Sequence, residues 1–402
     1  MDKAVLFIGG SELQLPTLNW AKQSGLQVLL SDGSSNPPGR ELADAFAAVP
    51  GDDVQSLIAF ARSHSRNVQI VSAYCSSDFG LVSVCRINQF LGRPGLDPAA
   101  VATSLHKAQA NQILRQAGLP VPDSFVLPSN KICQPSELSY PVIVKPVDGS
   151  GSRGVSRVEC AEKLPKALAD AQAFSPEVMI EKVVEGEHLD VSGFFADGRF
   201  YPGGQLERFF SPLPYCYPTW GLQPPGIKLE EQQYIYKLLE RASRALHLDW
   251  GPVKADVIRG PDGPVLIEVT PRFHGDVSSS FCCPLAHGVS PVQHWMQWLS
   301  NARLPERGVF LHNTCTAGWA GIFPRHVGTV EKIMGVQHAL ELPGIVKVLL
   351  RRGPGWRVEH LADNRAALGF LFATGQNSIQ VRQRLSAAIE KIQVVMSKEN
   401  TP

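Results

Sequence analysis

Lys145 closes an apolar strand and is followed within ten residues by three glycines and an arginine, in Tyr140-Pro-Val-Ile-Val-Lys-Pro-Val-Asp-Gly-Ser-Gly-Ser-Arg-Gly-Val155. An ammonium beside such a loop suits phosphate oxygens, because glycine permits positive φ and lets backbone N–H groups approach closely. Gly149, Gly151 and Gly154 also match G-x-G-x-x-G, the dinucleotide pattern, which needs a helix directly after the glycines. Here Val155-Ser-Arg-Val-Glu159 alternates like a second strand, and helical spacing begins only near Ala161. The loop therefore reads as the tip of a β-hairpin folded over a nucleotide.

Far downstream, Val253-Lys-Ala-Asp-Val-Ile258 and Pro264-Val-Leu-Ile-Glu-Val269 read as two strands joined by the turn Pro261-Asp-Gly263. Asp256 and Glu268 then sit across the hairpin from one another. Two hard oxygen ligands so placed suit Mg²⁺, which takes carboxylates together with nucleotide phosphates. Between these motifs, Glu181-Lys-Val-Val-Glu-Gly-Glu187 offers backbone groups beside carboxylates. Ser211-Pro-Leu-Pro-Tyr-Cys-Tyr-Pro-Thr-Trp-Gly221 offers Tyr215, Tyr217 and Trp220, either as a substrate wall or as a loop stiffened by proline. His287 and His294, seven residues apart, share a helix face without further ligands nearby, and read as packing residues.

The elements that must position these groups are legible in outline. Ala4–Ile8, Leu26–Leu30 and Val68–Val71 are apolar runs alternating with helical patterns at Pro16–Ser24 and Val54–Ser63, which predicts a parallel sheet flanked by helices. Gly9-Gly10 after the first run reads as a turn. Asp97-Pro98 caps a helix, and a helix starting at Thr103 or Ser104 carries Lys107 and ends at Gly118. Ala161–Ala173, Glu230–Leu246 and Val381–Ile392 are helical in pattern. Residues 211–226 read as a loop.

Composition sets the outer limits. The chain has 402 residues, 44% of them apolar, and a net charge of +1, with no electrostatic footprint for nucleic acid or a membrane surface. No run is long enough to span a bilayer, and the Met-Asp-Lys start lacks the apolar core of a signal peptide. The eight cysteines show no C-x-x-C spacing, and the adjacent Cys282 and Cys283 read as buried thiols. A cytoplasmic location is expected.

Taken in order, these features resemble the ATP-grasp superfamily, ADP-forming ligases that activate a carboxylate as an acyl phosphate. The resemblance runs through Lys107, the Lys145 strand and glycine loop, Glu181–Glu187, Asp256 and Ile267-Glu-Val-Thr-Pro-Arg272, and covers nearly the whole chain. Pro343-Gly-Ile345, Gly353–Gly355 and Gly369–Thr374 are similar to the closing part of the branch that holds L-amino acid ligases, purine-pathway carboxylate ligases and carbamoyl-phosphate-synthase-like enzymes. The implied fold is α/β: a Rossmann-like unit over 1–100, an ATP-grasp unit over 101–300 with a lid at about 138–200, and a C-terminal α+β portion over 301–402. Two α+β subdomains would sandwich ATP.

The resemblance implies roles. Lys107 and Lys145 contact ATP phosphates, and Ser150, Gly151, Ser152 and Gly154 form the lid. Glu181 and the Lys182, Val183 and Val184 backbone read adenine, and Glu187 holds the ribose. Asp256 and Glu268 bind Mg²⁺ or Mn²⁺, and Arg272 steadies the transferred phosphoryl group. Two positions depart from the usual pattern: Asp256 stands in place of Glu, and Thr270, a weaker metal ligand, in place of Asn. After Arg272, Phe273-His-Gly-Asp276 replaces a glycine-rich run, making His274 and Gly275 substrate candidates.

The implied reaction joins a carboxylate, such as an amino acid, to an amine, with a second amino acid as the expected acceptor. A homodimer is the family's expectation, with no residue here that demands it. Two alternatives stay open: a carboxylase or formate-using purine-type enzyme on the same fold, and an ATP-binding sensor without turnover. Protein kinases also combine a strand lysine with a glycine loop, but there the loop precedes the lysine and an H-R-D signature follows. Neither holds here.

Overall fold

The computed structural model describes residues 1–128, 138–275, 277–306 and 308–397. The chain opens with a four-stranded parallel sheet in the order Ala45–Ala47, Gln27–Ser31, Lys3–Ile8, Gln69–Cys75. Its strands are apolar runs buried on both faces, as a sheet covered by helices requires. Helices Leu15–Gln23, Val54–His64 and Leu81–Phe90 supply that cover, the second capped by the Asp53 side chain accepting from Ser56 N.

Asp97 and Pro98 cap and open helix Pro98–Leu105 as expected. The single helix expected through Lys107 is two. The chain breaks at His106, whose extended backbone ends the first, and whose ring accepts from Gln109 N at 3.3 Å to start Lys107–Gln116. Lys107 is thereby the first residue of a helix, not a residue inside one.

The stretch expected as the lid, about 138–200, is divided: a small antiparallel sheet in the order Ser124–Leu127, Val178–Lys182, Val142–Pro146, Ser156–Val158 takes in most of it, while Glu187–Ala196 joins a different sheet. Val142, Val144, Val178 and Ile180 pack against Leu164, Ala167 and Ala171 of the helix Leu164–Gln172. Pairing of Val142–Pro146 with Ser156–Val158 makes the glycine loop a hairpin tip.

An eight-stranded sheet forms the floor, in the order Gly263–Thr270, Gly251–Gly260, Glu187–Ala196, Arg199–Phe210, Pro218–Gln223, Thr316–Ile322, Gly369–Gly375, Ile345–Leu350. Pro218–Gln223 lies within the stretch read as a loop. It pairs with strands on both sides, and its prolines and aromatics hide a strand signal of only six residues. The last hundred residues thus contribute three strands to the same sheet. Helices Lys107–Gln116 and Leu229–Ala245 close a core over it with Leu189, Val191, Val253, Ala255 and Val269. No helix among the described residues is long and apolar enough to cross a membrane.

Candidate active site

The lid and the floor enclose a cavity of about 530 Å³. Its roof is the glycine loop. Gly149 and Gly151 sit at φ +117° and +73° with open space where a Cβ would stand, so backbone conformation rather than packing demands glycine there. Gly154 differs, since its Cβ would lie 3.0 Å from the Asp170 carbonyl. At the back, Lys145 pairs with Glu181 at 2.7 Å, both side chains almost wholly buried. Their strands are register neighbours, with Ile143 opposite Glu181, which brings the two charges together. Lys107 donates to the Gly149 carbonyl at 2.6 Å and lies 3.7 Å from Glu268. Burial pushes the Lys107 ammonium below its ordinary range, only partly countered by Glu268.

The floor carries a row of three carboxylates. Asp190, Asp256 and Glu268 are direct register partners across three adjacent strands. Cations separate them. Arg208 pairs with Asp190 and lies 3.2 Å from Asp256. Lys254, two residues before Asp256 and so on the same strand face, donates to Asp256 at 3.0 Å and Glu268 at 2.8 Å. His274 spans Asp190 at 2.8 Å and Asp256 at 3.3 Å. Burial alone would raise the Asp256 and Glu268 carboxyls, yet Arg208 and Lys254 hold Asp256 well below the usual carboxylate range. Lys254 and Lys107 do the same for Glu268. The carboxylates also keep Lys254 protonated against its own burial. Asp190, Asp256 and His274 stand close enough for one ion to touch all three.

Most of the expected site residues meet in this cavity: Lys107, Lys145, Ser150, Gly151, Ser152, Glu181, Lys182, Val183, Val184, Tyr215, Asp256, Glu268, Arg272, His274 and Gly275 line it. Gly154 supports the loop from behind. Four others lie outside the lining. Glu187 pairs with Arg259 at 2.8 Å on the surface. Thr270 is 1% exposed, and its hydroxyl has no hydrogen-bond partner among the described residues. Tyr217 packs on Phe323. Trp220 stacks on Phe209 at 3.9 Å, with Arg382 over both rings. Asp276 lies outside the described residues. His287 and His294 pack edge-on against Phe310, and His287 bonds the His312 carbonyl, in keeping with a packing role. Cys282 and Cys283 are buried free thiols.

Several groups escape the sequence reading. The Lys-x-Asp spacing of Lys254 and Asp256 is a strand signal that would have revealed Lys254. Asp190 and Arg208 sit on a hairpin whose pairing gives no local charge motif. Asp78 reaches Arg272 from the N-terminal sheet, with Nε–Oδ1 at 2.5 Å and Nη2–Oδ2 at 3.2 Å, across 194 residues of chain. Asp78-Phe-Gly80 spells the D-F-G of kinases, yet it precedes Lys145 and its aspartate holds an arginine. Trp319, Phe323, Arg351, Asn364 and Phe370 bring the C-terminal segment to the cavity wall.

The residues present fit a nucleotide and a divalent cation. Glu181 Oε1 is buried without a hydrogen-bond partner among the described residues, an acceptor at the cavity edge suited to an exocyclic amine. Asp256 and Glu268 are ionised hard oxygen donors in the same cavity as Lys107 and Lys145.

Comparison with known proteins agrees with this geometry. Residues 321–397 match the family described as L-amino acid ligase C-terminal domain 2, and residues 113–198 match D-ala D-ala ligase C-terminus. The uncharacterized protein y4rH of Sinorhizobium fredii is 26% identical over 358 residues, covering 86% of this chain and 72% of that protein. A D-alanine--D-alanine ligase of Gloeobacter violaceus is 31% identical over 194 residues, 45% of this chain, and the chain spans 63% of that ligase's length. The crystal structure of an L-amino acid ligase from Bacillus licheniformis superposes with a TM-score of 0.85 at 20% identity, covering 99% of this chain and 100% of that one. The fold is ATP-grasp, shared with that L-amino acid ligase structure.

Proposed function

We propose that the chain is an ADP-forming carboxylate–amine ligase that activates an amino acid, or a similar carboxylate, as an acyl phosphate and joins it to an amine, namely a second amino acid. One observation carries this reading: Lys107, Lys145, the glycine loop and the Asp256–Glu268 pair, far apart in sequence, line one cavity. The family matches to two kinds of amino-acid ligase support the same reaction class.

In this reading Lys107 and Lys145 hold the nucleotide phosphates, and the Gly149–Gly154 loop closes over them and excludes water. Glu181 and the Lys182–Val184 backbone read the adenine. Ribose contacts would come from the hinge nearer Glu185, which lines the cavity, with Glu187 reaching in only by leaving Arg259. Asp256 and Glu268 would hold Mg²⁺ or Mn²⁺, which supplies positive charge where phosphoryl transfer builds negative charge. Thr270 would act behind this pair. Arg272, held by Asp78, points its guanidinium toward the transferred group, an arrangement that costs no reorganisation during the reaction. The carboxylate oxygen attacks the γ-phosphorus and ADP leaves. The amine then attacks the acyl carbon, and phosphate leaves with its bridging oxygen. His274 and Gly275 border the reacting carboxylate, and Tyr215, Trp319, Phe323 and Phe370 wall the acceptor, with Tyr217 and Trp220 supporting that wall from behind.

Phosphate release measured over all pairs of amino acids, followed by mass spectrometry of the product, tests the reading. A condensed product that requires both substrates is expected, and Lys145→Ala or Glu268→Gln lowers kcat by about 10²-fold or more. Incorporation of labelled bicarbonate in place of an amine-dependent product would point to a carboxylase instead.

A further inference from the structure

Asp256 and Glu268 face one another in register, and a cation is already built between them. Lys254 rises from the same strand face as Asp256, is 2% exposed, and gives hydrogen bonds to Asp256 Oδ1 and Glu268 Oε2 at 3.0 and 2.8 Å. Lys254 lines the cavity yet is almost wholly buried, so its ammonium is held at the pair by both carboxylates. Thr270, the third oxygen group expected at this place, is the register partner of Lys254 and is buried outside the cavity lining. Of the two remaining carboxylate oxygens, Asp256 Oδ2 lies 3.2 Å from Arg208. Glu268 Oε1 has its nearest cation, Lys107, at 3.7 Å, beyond hydrogen-bond range.

Charge and ligand count point the same way. Two carboxylates and one ammonium sum to −1, which one divalent ion more than offsets. Paired divalent ions about 3.5–4 Å apart bridge two transferring oxygens and draw on shared carboxylates. Here each carboxylate has one oxygen engaged by Lys254, and a second ion would stand against a buried ammonium of like charge. Mg²⁺ needs only one or two carboxylates when phosphates and water complete its shell, so Glu268 and Asp256 suffice for a single ion. We propose that Lys254 permanently fills one of the two cation places at the Asp256–Glu268 pair, so that this chain takes up one divalent ion with its nucleotide instead of two. This rests on the nucleotide-binding reading of the cavity, and makes Lys254 a positioning residue that fixes both carboxylates.

The test is a count of bound Mn²⁺ on the full chain with a non-hydrolysable ATP analogue. Free Mn²⁺ is followed by electron paramagnetic resonance, and analogue occupancy is measured separately by calorimetry. One Mn²⁺ per bound analogue is expected for the native chain and for Lys254→Arg, and two for Lys254→Met. Two ions on the native chain would overturn the proposal while leaving the nucleotide reading intact. One ion on a folded Lys254→Met chain would overturn it as well. Where Lys254→Met does not fold, the native count decides alone. Failure of the analogue to bind would withdraw the nucleotide reading and the inference together.

Discussion

Three carboxylates in register on adjacent strands repel one another, and Asp190, Asp256 and Glu268 tolerate that placement because Arg208 and Lys254 stand between them. Arg208 sits among the buried groups of the floor, so its removal takes a fixed positive charge from both Asp190 and Asp256. Arg208→Ala is expected to cost about 3–5 kcal/mol of stability, read as a lowered urea midpoint. His188 beside Arg208 gives the row a pH signature. Burial, with Arg208 adding, depresses His188 from 6.5 to about 4. The folded state then keeps the ring neutral while the unfolded chain takes up a proton. Its stabilising contribution is complete above pH 6.5 and is lost as pH falls toward 4, a change of roughly 3 kcal/mol at most. Denaturant titrations at pH 7 and pH 4 check this, and His188→Phe should flatten the difference. At this scale the sequence disclosed Asp256 and Glu268 as groups on paired strands, but the turn alone would set Asp256 opposite Ile267, and an unforeseen bulge between Asp256 and Val257 brings Glu268 into register. It did not disclose Asp190 and Arg208, whose meeting depends on pairing between long strands.

At the scale of elements, the lid hairpin separates two uses of glycine. Gly151 needs its positive φ but faces open space, whereas Gly154 is also pressed against the helix Leu164–Gln172. Gly151→Ala should cost about 1 kcal/mol of local strain and raise KM for ATP a few-fold with little change in Tm. Gly154→Ala should lower Tm by several degrees and weaken nucleotide binding, because the Asp170 carbonyl and Ala171 would have to move. Thermal melts and ATP titrations of the two variants separate these outcomes. The hairpin was legible because alternation resumes at Val155, excluding the helix that a dinucleotide loop needs. The break at His106 was not, since neither proline nor glycine marks it and the cap is a histidine ring. Strand Pro218–Gln223 was likewise masked, because its identity comes from neighbours on both sides.

Across the whole molecule, the N-terminal sheet reaches the cavity through Asp78. Asp78 follows the strand Gln69–Cys75 and clamps Arg272 on the far side of the site. Phe7 and Tyr74 share a core with Phe194, Phe273 and Trp295, which fixes the distance over which that clamp acts. Asp78→Asn should weaken the fold by about 1–3 kcal/mol and lower kcat more than it raises KM, because Arg272 loses its aim rather than its charge. Steady-state kinetics beside a denaturant curve check both. No local pattern connects residues 194 positions apart, so this part of the site could be seen only once the chain was folded.

Activation of a carboxylate by phosphoryl transfer in the proposed reaction moves one carboxylate oxygen onto phosphate. Transfer of ¹⁸O from a labelled carboxylate substrate measures it most directly. ADP formation that depends on the carboxylate and the amine is expected, with one labelled oxygen recovered in each phosphate released. Unlabelled phosphate, or AMP with pyrophosphate in place of ADP, would contradict it.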